Sequence, residues 1–184
     1  MREAGIQGIS RRRGYCVTTR RNRRERPAPD RVKRQFVATA PNQLWVADIT
    51  YLPLQDNEAY LSLVTDAWSR KIVGYHVDDN LKTDGVLTAY KRALRQRQDK
   101  SKPLIHHSDR GIQYCSKAYQ AVHAQHGVTC SMTDGYDCYQ NAWAERVNGI
   151  LKQEFLTTRC KTMRELDHLI AESIVIYNCY RPHL

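Results

Sequence analysis

Three acidic residues occupy positions where a carboxylate is unfavourable unless it is paired or binds a metal. Asp48 and Asp109 interrupt or close short apolar segments that are typical of strands, and Glu145 interrupts the apolar face of a predicted helix. Their oxygens would suit Mg²⁺, which takes a few carboxylates and keeps positions for waters and substrate phosphates. Such a site supports phosphoryl transfer, in which two ions activate the attacking oxygen and stabilise the leaving one. Because the chain contains 19 Asp and Glu, this chemistry is at this point one possibility among several.

The hydrophobic pattern from residue 41 onward predicts the elements that would position these acids. It favours three strands joined by short turns, then a helix, a strand, a helix, a strand and two helices. The predicted segments are 44–51, 59–66, 71–77, 83–98, 104–107, 116–126, 128–131, 139–155 and 162–180. Three antiparallel strands followed by parallel additions give an α/β fold, with a mixed five-stranded sheet flanked by helices. Asp48 would then lie on the central strand, Asp109 at the end of the neighbouring fourth strand, and Glu145 on a helix across the sheet edge.

The positive charge of the chain is concentrated at its beginning. Residues 1–34 contain twelve of the 29 Lys and Arg but only three of the 19 Asp and Glu, which accounts for nearly all of the net charge of +10. Because they lack hydrophobic periodicity, residues 1–40 are predicted to form a basic N-terminal arm or linker, and residues 41–184 the globular domain. A solvated tail is one interpretation, but dense arginines more often neutralise nucleic-acid phosphates. The residues expected to do so are Arg11, Arg12, Arg13, Arg20, Arg21, Arg23 and Arg24.

The rest of the composition narrows the class of protein. No apolar run reaches the length of a membrane span and the first residues lack a signal-peptide pattern, so we expect a cytoplasmic protein without a membrane partner. The six cysteines form no CxxC pair, which favours reduced, scattered thiols. His123, His126 and Cys130 have the spacing of half a zinc site, but a second pair at ligand spacing is missing, so a structural zinc is not favoured.

The residues around the three acids form motifs that can be compared with known families. They are Trp45-x-x-Asp48-Ile49-Thr50-Tyr51, His107-Ser108-Asp109-Arg110-Gly111-x-Gln113-Tyr114 and Asn141-Ala142-x-x-Glu145. These motifs resemble those of the DDE transposases of the retroviral-integrase superfamily. Further matches within residues 66–74, 151–154 and 177–183 make the chain similar to the integrase-core protein of the IS-three family of bacterial insertion sequences. The resemblance extends from residue 41 to the last residue, and residues 1–6 resemble the end of the DNA-binding region that precedes the core.

The resemblance implies an RNase H-like fold in which Asp48, Asp109 and Glu145 are the catalytic residues and bind Mg²⁺ or Mn²⁺. The activity that it implies is cleavage of double-stranded DNA at transposon ends, followed by attack of the exposed 3′-hydroxyl on a new phosphodiester. It further implies a homo-multimer on DNA, associated with the bacterial nucleoid, and an upstream-encoded DNA-binding protein joined by fusion. Two alternatives stay open: a DNA-binding remnant without catalytic activity, and an RNase H-like nuclease that does not transfer strands. Compared with the family, we expect the chain to be shortened at both ends.

Two residues near Glu145 are candidates for contact with DNA. Lys152 lies seven positions after Glu145, on roughly the same helical face, and is expected to contact the DNA backbone. Asn141 is expected to bind DNA or a backbone group near the site, with capping of the helix as the alternative. Trp143 is more readily interpreted as a packing residue than as a platform for a stacked base.

The residues around Asp109 are candidates for supporting roles. His107 and Ser108 would orient Asp109 or meet a phosphate, and packing at the end of the strand is an equal alternative. Gly111 would permit a tight turn beside the metal. Gln140 is a departure from the family, which often has an acid there, but this position is not expected to be a principal ligand.

Overall fold

A mixed five-stranded sheet in the order β3-β2-β1-β4-β5 organises the chain in a computed structural model that describes residues 27–135 and 141–183. The strands are β1 (Leu44–Pro53), β2 (Glu58–Asp66), β3 (Ile72–Asp78), β4 (Ile105–Ser108) and β5 (Thr129–Met132). β1, β2 and β3 form an antiparallel meander, β4 pairs in parallel with β1, and β5 pairs in parallel with β4. The predicted sheet, with three antiparallel strands followed by parallel additions, is therefore confirmed.

Within the described residues, five α-helices connect and flank the strands. They are α1 (Thr83–Gln96), α2 (Ile112–Cys115), α3 (Lys117–Gln125), α4 (Ala142–Ile150) and α5 (Met163–Cys179). The prediction lacks α2, because a helix of four residues is too short to produce a periodic pattern. α4 continues directly into a π-helical turn, Leu151–Phe155, where the sequence predicts one uninterrupted helix. Such turns shift the helical face by one residue, so spacing across Leu151 no longer follows the α-helical period.

Two hydrophobic cores lie on the two faces of the sheet. Trp45 and Ala47 of β1 pack with α1 and α3 on one face, whereas Leu52 packs with α4 and α5 on the other. Because side chains alternate along a strand, Asp48 points to the same face as Leu52, towards α4. Trp45 is completely buried, and its replacement by Ala would destabilise the fold by about 3–5 kcal/mol.

The segment before β1 packs against the sheet. Val32 is buried in a small cluster with Leu44 and Ala67, and the backbone N–H of Arg31 donates to Ser131 Oγ over 2.9 Å. The described end of the predicted arm is therefore attached to the globular domain, although residues 27–40 form no helix or strand. The domain boundary at residue 40 stays a prediction.

The outer edge of β3 is covered at one point by a side chain from α5. Asn178 Oδ1 accepts from the backbone N–H of Ile72 over 2.8 Å, and Asn178 Nδ2 donates to the carbonyl of Ile72 over 2.9 Å. The side-chain amide thus makes the two bonds that a further strand would make.

Three predictions from the sequence concern membrane helices, cysteines and a structural zinc. Within these ranges, no helix is both long and apolar enough to span a bilayer. Cys115, Cys130, Cys160 and Cys179 are free thiols. His123 is buried among aromatic rings, with its Nδ1 2.9 Å from the carbonyl oxygen of Tyr119.

Candidate active site

Asp48 and Asp109 meet where β4 ends beside the middle of the parallel strand β1. The register pairs Val46 with His107, so Asp109, just after the end of β4, follows at the level of Asp48. Ligands bind at the carboxyl ends of parallel strands in many α/β folds. Both acids line an open cleft of about 430 Å³. The other residues that line it are Ile49, Tyr51, Leu81, Gly111, Gln113 and Tyr114.

The electrostatics of the cleft disfavour a negative charge on Asp48. Burial raises the pKa of Asp48 to about 7, and the neighbouring charges of Asp109 and Glu145 contribute to this rise. The backbone N–H of Ile49 and the amide of Asn148 oppose the shift by hydrogen bonding to the charged form. An ionised Asp48 is therefore destabilised in the absence of a cation, which is typical of residues with a functional role.

Two asparagines of α4 attach this helix to β1 beside Asp48. Asn148 Nδ2 donates to Asp48 Oδ2 over 2.8 Å, and Asn141 Nδ2 donates to the carbonyl of Ala47 over 3.1 Å. Both side chains are buried, and neither Oδ1 has a hydrogen-bond partner among the described residues. Asn141 does not cap α4 with its side chain, so that alternative is wrong. Its contact with Ala47 gives it a positioning role, and its contact with DNA stays a prediction.

Asn148 is a site residue that sequence reasoning missed. It lies three positions after Glu145, and residues at this spacing occupy neighbouring positions on a helix surface. The sequence therefore contained a signal for Asn148, because an amide next to an acid on the helix at the metal site could contact the site. The signal is weak, because asparagine is common on exposed helix surfaces and only the fold shows that Asn148 is buried.

Glu145 lies on an exposed part of α4 and does not line the cleft. The prediction that it interrupts the apolar face of its helix is wrong, because the buried face is formed by Ala144, Val147 and Asn148. Burial and the charge of Asp109 nevertheless raise the pKa of Glu145, so the three acids interact electrostatically. In residues 27–135 and 141–183, no three His, Cys, Asp or Glu side chains are placed to hold one ion together.

A short turn after β4 holds the carboxylate of Asp109. The backbone N–H of Gly111 donates to Asp109 Oδ1 over 2.9 Å. Gly111 has an ordinary φ of −55°, so its role is to leave space and not to adopt an unusual conformation. A Cβ at this position would lie 3.0 Å from Asp109 Oδ1 and 3.1 Å from Gln113 Oε1. Burial raises the pKa of Asp109, whereas the Gly111 N–H and the charge of His107 lower it.

His107 and Ser108 are buried below the turn. His107 Nδ1 lies 2.9 Å from Ser131 Oγ on β5, and the ring contacts Phe36 edge-on at 5.9 Å. The hydroxyl of Ser108 donates to the backbone carbonyl of Asp109 over 3.0 Å. These contacts favour packing and orientation at the strand end over contact with a phosphate.

Of the remaining predicted DNA contacts, Lys152 is the one that lies within the described residues. Lys152 is half-buried in the π-helical turn and interacts with another group of the protein. Gln140 lies outside the described residues. So do the predicted arm residues Arg11, Arg12, Arg13, Arg20, Arg21, Arg23 and Arg24.

The fold and the paired carboxylates define an RNase H-like domain of the integrase type, with one acid on the central strand and another at the end of the adjacent strand. The chain belongs to the integrase core domain family, which it matches over residues 38–138, with a second integrase core domain match over residues 126–184. The predicted fold and the resemblance to transposases of insertion sequences are therefore confirmed.

Three known proteins illustrate this relationship. The chain is 39% identical over 152 residues to the transposase for insertion sequence element IS629 of Shigella sonnei, covering 83% of this chain and 50% of the relative. It is 34% identical over 154 residues to transposase InsF for insertion sequence IS3A of Escherichia coli K12, covering 83% of this chain and 53% of the relative. The HTLV-2 integrase catalytic core domain in complex with magnesium has the same fold, with a TM-score of 0.62 and 20% identity over 79% of this chain and 90% of that chain. The chain spans about half the length of the two transposases.

Proposed function

We propose that this chain is the catalytic domain of a DDE transposase, which cleaves DNA and joins the exposed 3′-hydroxyl to a target strand. The observation that carries the proposal is the meeting of Asp48 and Asp109 in one cleft, where burial and the charges of Asp109 and Glu145 raise the pKa of Asp48. The two transposases to which the chain is similar support DNA as its substrate. The division into a basic arm (residues 1–40) and a catalytic core (residues 41–184) is part of the same proposal.

The residues of the cleft fit a divalent metal ion. Carboxylate oxygens are the ligands that Mg²⁺ and Mn²⁺ prefer, and a cation would offset the burial and the repulsion that raise the pKa of Asp48. Tyr114 lines the cleft, and its buried hydroxyl has no hydrogen-bond partner among the described residues. Asp48 and Asp109 would hold the metal, joined by Glu145 from the exposed side of α4. A bound metal would lower the pKa of the attacking water or hydroxyl and stabilise the leaving oxygen.

The protein's own hydrogen bonds keep these ligands in place. Asn148 holds one oxygen of Asp48, and the Gly111 N–H holds one oxygen of Asp109. Each bond favours the ionised carboxylate, which is the form that binds a metal. The contacts therefore orient both carboxylates before substrate arrives.

A strand-joining assay with matched variants tests the proposal. The full chain is incubated with a labelled duplex that ends in a 3′-hydroxyl and with a supercoiled plasmid, in Mg²⁺, Mn²⁺ or EDTA. We expect metal-dependent nicking and joining, and at least about a 100-fold loss of joining in Asp48→Asn, Asp109→Asn and Glu145→Gln. Asp56→Asn, on an exposed turn, is the matched control and should retain activity.

The outcomes separate the proposed function from its alternatives. Nicking without joining would support the RNase H-like nuclease. DNA binding without metal-dependent nicking or joining would support a catalytically inactive remnant. An Asp109→Asn protein that joined ends at the normal rate would refute the assignment of the site.

Contacts with DNA outside the cleft belong to the same proposal. The basic arm and Lys152 would bind the phosphate backbone, and several copies of the chain would assemble on the two ends of one element. Because transposition must cut and join both ends, this arrangement follows from the proposed reaction. Size measurements on the protein with and without duplex DNA would test it, and a single copy in the joined product would contradict it.

A further inference from the structure

A second concave surface lies where the β2–β3 turn, α4 and the segment after α5 meet. It encloses about 270 Å³ and is bordered by three arginines, Arg70, Arg146 and Arg181, together with Trp143 and His183. We call it the arginine pocket. Two motifs that contributed to the family resemblance, within residues 66–74 and 177–183, come together here although about one hundred residues separate them. The metal chemistry proposed above gives neither motif a role.

Two of the three arginines are held in position around the pocket. The Arg70 guanidinium lies over the ring of Trp143, 5.5 Å from its centroid, and Arg181 makes a two-point contact with Glu154 over 2.7 Å for each bond. Arg70 has a φ of 63°, a conformation that is unfavourable for a residue other than glycine. Asp66 stabilises the turn by accepting hydrogen bonds from the backbone N–H and the hydroxyl of Ser69.

The pocket brings three positively charged side chains and an indole donor together. Burial raises the pKa of Tyr177, and the charges of Arg181, Arg70 and Arg146 oppose this shift, so all three guanidinium groups act on one point. Glu154 pairs with one of the three guanidinium groups, that of Arg181. The indole N–H of Trp143 has no acceptor among the described residues. Because arginine stays protonated, the three guanidinium groups keep their charge at every physiological pH.

From these observations we infer that the arginine pocket binds a backbone phosphate of the DNA that the active site processes. Planar guanidinium groups match the geometry of a phosphate, and stacking of Arg70 on Trp143 limits the freedom that binding would remove. The pocket shares α4 with the proposed active site, since Arg146 directly follows Glu145. One DNA strand that crosses α4 therefore reaches both. The inference rests on the proposed DNA substrate but requires no catalysis.

A spectroscopic experiment on the full chain tests occupancy of the pocket. The chain contains three tryptophans, so a nitrogen–proton correlation spectrum shows three indole signals, and Trp143→Phe identifies that of Trp143. Trp45, whose indole N–H donates to Asn42 Oδ1 over 3.1 Å, is the internal reference. Titration with a short DNA duplex in EDTA should move the Trp143 signal and leave that of Trp45 in place. A Trp143 signal that does not move while the duplex binds would overturn the inference.

Inorganic phosphate distinguishes a general anion pocket from a DNA contact. If both phosphate and the duplex move the Trp143 signal, and phosphate competes with the duplex for it, the inference is supported. If phosphate moves the signal and the duplex does not, the pocket binds free anions and the DNA assignment is wrong.

Variants of the arginines provide a second, independent measurement. Arg70→Gln and Arg146→Gln should each lower the slope of log binding constant against log salt concentration by about 1, measured by fluorescence anisotropy of a labelled duplex in EDTA. Arg92→Gln is the matched control, because Arg92 also lies over an aromatic ring, Tyr75 at 5.8 Å, but away from the pocket. Arg146 is exposed, so its replacement tests the inference even if Arg70→Gln unfolds the turn.

The comparison with the control decides the outcome. Equal losses in Arg92→Gln, or unchanged slopes in both pocket variants, would overturn the inference. Because DNA binding in EDTA requires no strand joining, the two assays are independent. Failure of strand joining with intact pocket binding would therefore contradict only the proposed function, and the reverse result would contradict only the pocket.

Discussion

Replacing Asp48 with Asn should stabilise the metal-free protein while abolishing metal-dependent strand joining. The pKa of Asp48 is raised from 3.8 to about 7, so the fold retains a proton that the unfolded chain releases between these values. The stability of the unmodified protein therefore falls as the pH rises from about 4 to about 7. The difference between the two pKa values corresponds to a loss of about 4 kcal/mol in the free energy of unfolding at pH 8. Because solvent in the open cleft screens the charge, we expect a loss of about 2 kcal/mol.

Urea unfolding in EDTA measures this difference directly. The Asn side chain removes the charge, and its oxygen can still accept the hydrogen bond from Asn148. The gain in unfolding free energy should be complete at pH 8 and less than half as large at pH 5. Mg²⁺ should then stabilise the unmodified protein at pH 8 and leave the variant unchanged, because only the former binds the ion. Asp56→Asn, on an exposed turn, should stay within about 0.5 kcal/mol of the unmodified protein at both pH values.

Two results would refute the reasoning. A variant that is less stable at pH 8 would show that the carboxylate of Asp48 stabilises the fold. A gain of equal size at pH 5 and pH 8 would show that it comes from packing and not from charge.

Three further changes have defined outcomes. Asn148→Ala removes a hydrogen bond that lowers the pKa of Asp48. The acidic limb of the pH–rate profile for strand joining should therefore move to higher pH. An unmoved limb would contradict the role of Asn148. Gly111→Ala places a methyl group 3.0 Å from Asp109 Oδ1, so calorimetry should show weaker Mg²⁺ binding, and unchanged affinity would mean that the turn adapts without displacing the carboxylate. Deleting residues 1–26, which leaves the attached segment in place, should lower the salt slope of DNA binding by about 0.9 for each phosphate that the arm neutralises; an unchanged slope would show that the arm is not the electrostatic anchor.

The sheet could be predicted from the sequence because its signals are local. The first three strands are rich in apolar and β-branched residues, and short polar turns separate them. Both the existence of these strands and their antiparallel pairing therefore follow from residues that are close in sequence. The π-helical turn after α4 could not be predicted in this way. It depends on how α4 meets the rest of the fold, and single-sequence periodicity does not contain that information.

The candidate site was predictable only in part, for a related reason. Asp48 and Asp109 stand out because a strand and a strand end are unusual places for an acid. The exposure of Glu145 depends on the rotation of α4, which Asn141 and Asn148 set by contacts about one hundred residues away in the chain. The arginine pocket also joins segments that are about one hundred residues apart in the chain. Sequence motifs identify each segment, but they do not show that the segments are in contact.

The amide of Asn178 on the edge of β3 has a consequence for the protein in solution. An open strand edge allows another molecule to extend the sheet, and many copies held close together on one DNA would meet such edges often. By bonding to both backbone groups of Ile72, Asn178 blocks this edge at that residue. Replacing Asn178 with Leu would expose the edge, and the damage would appear first as aggregation at high protein concentration, before any loss of fold in dilute solution.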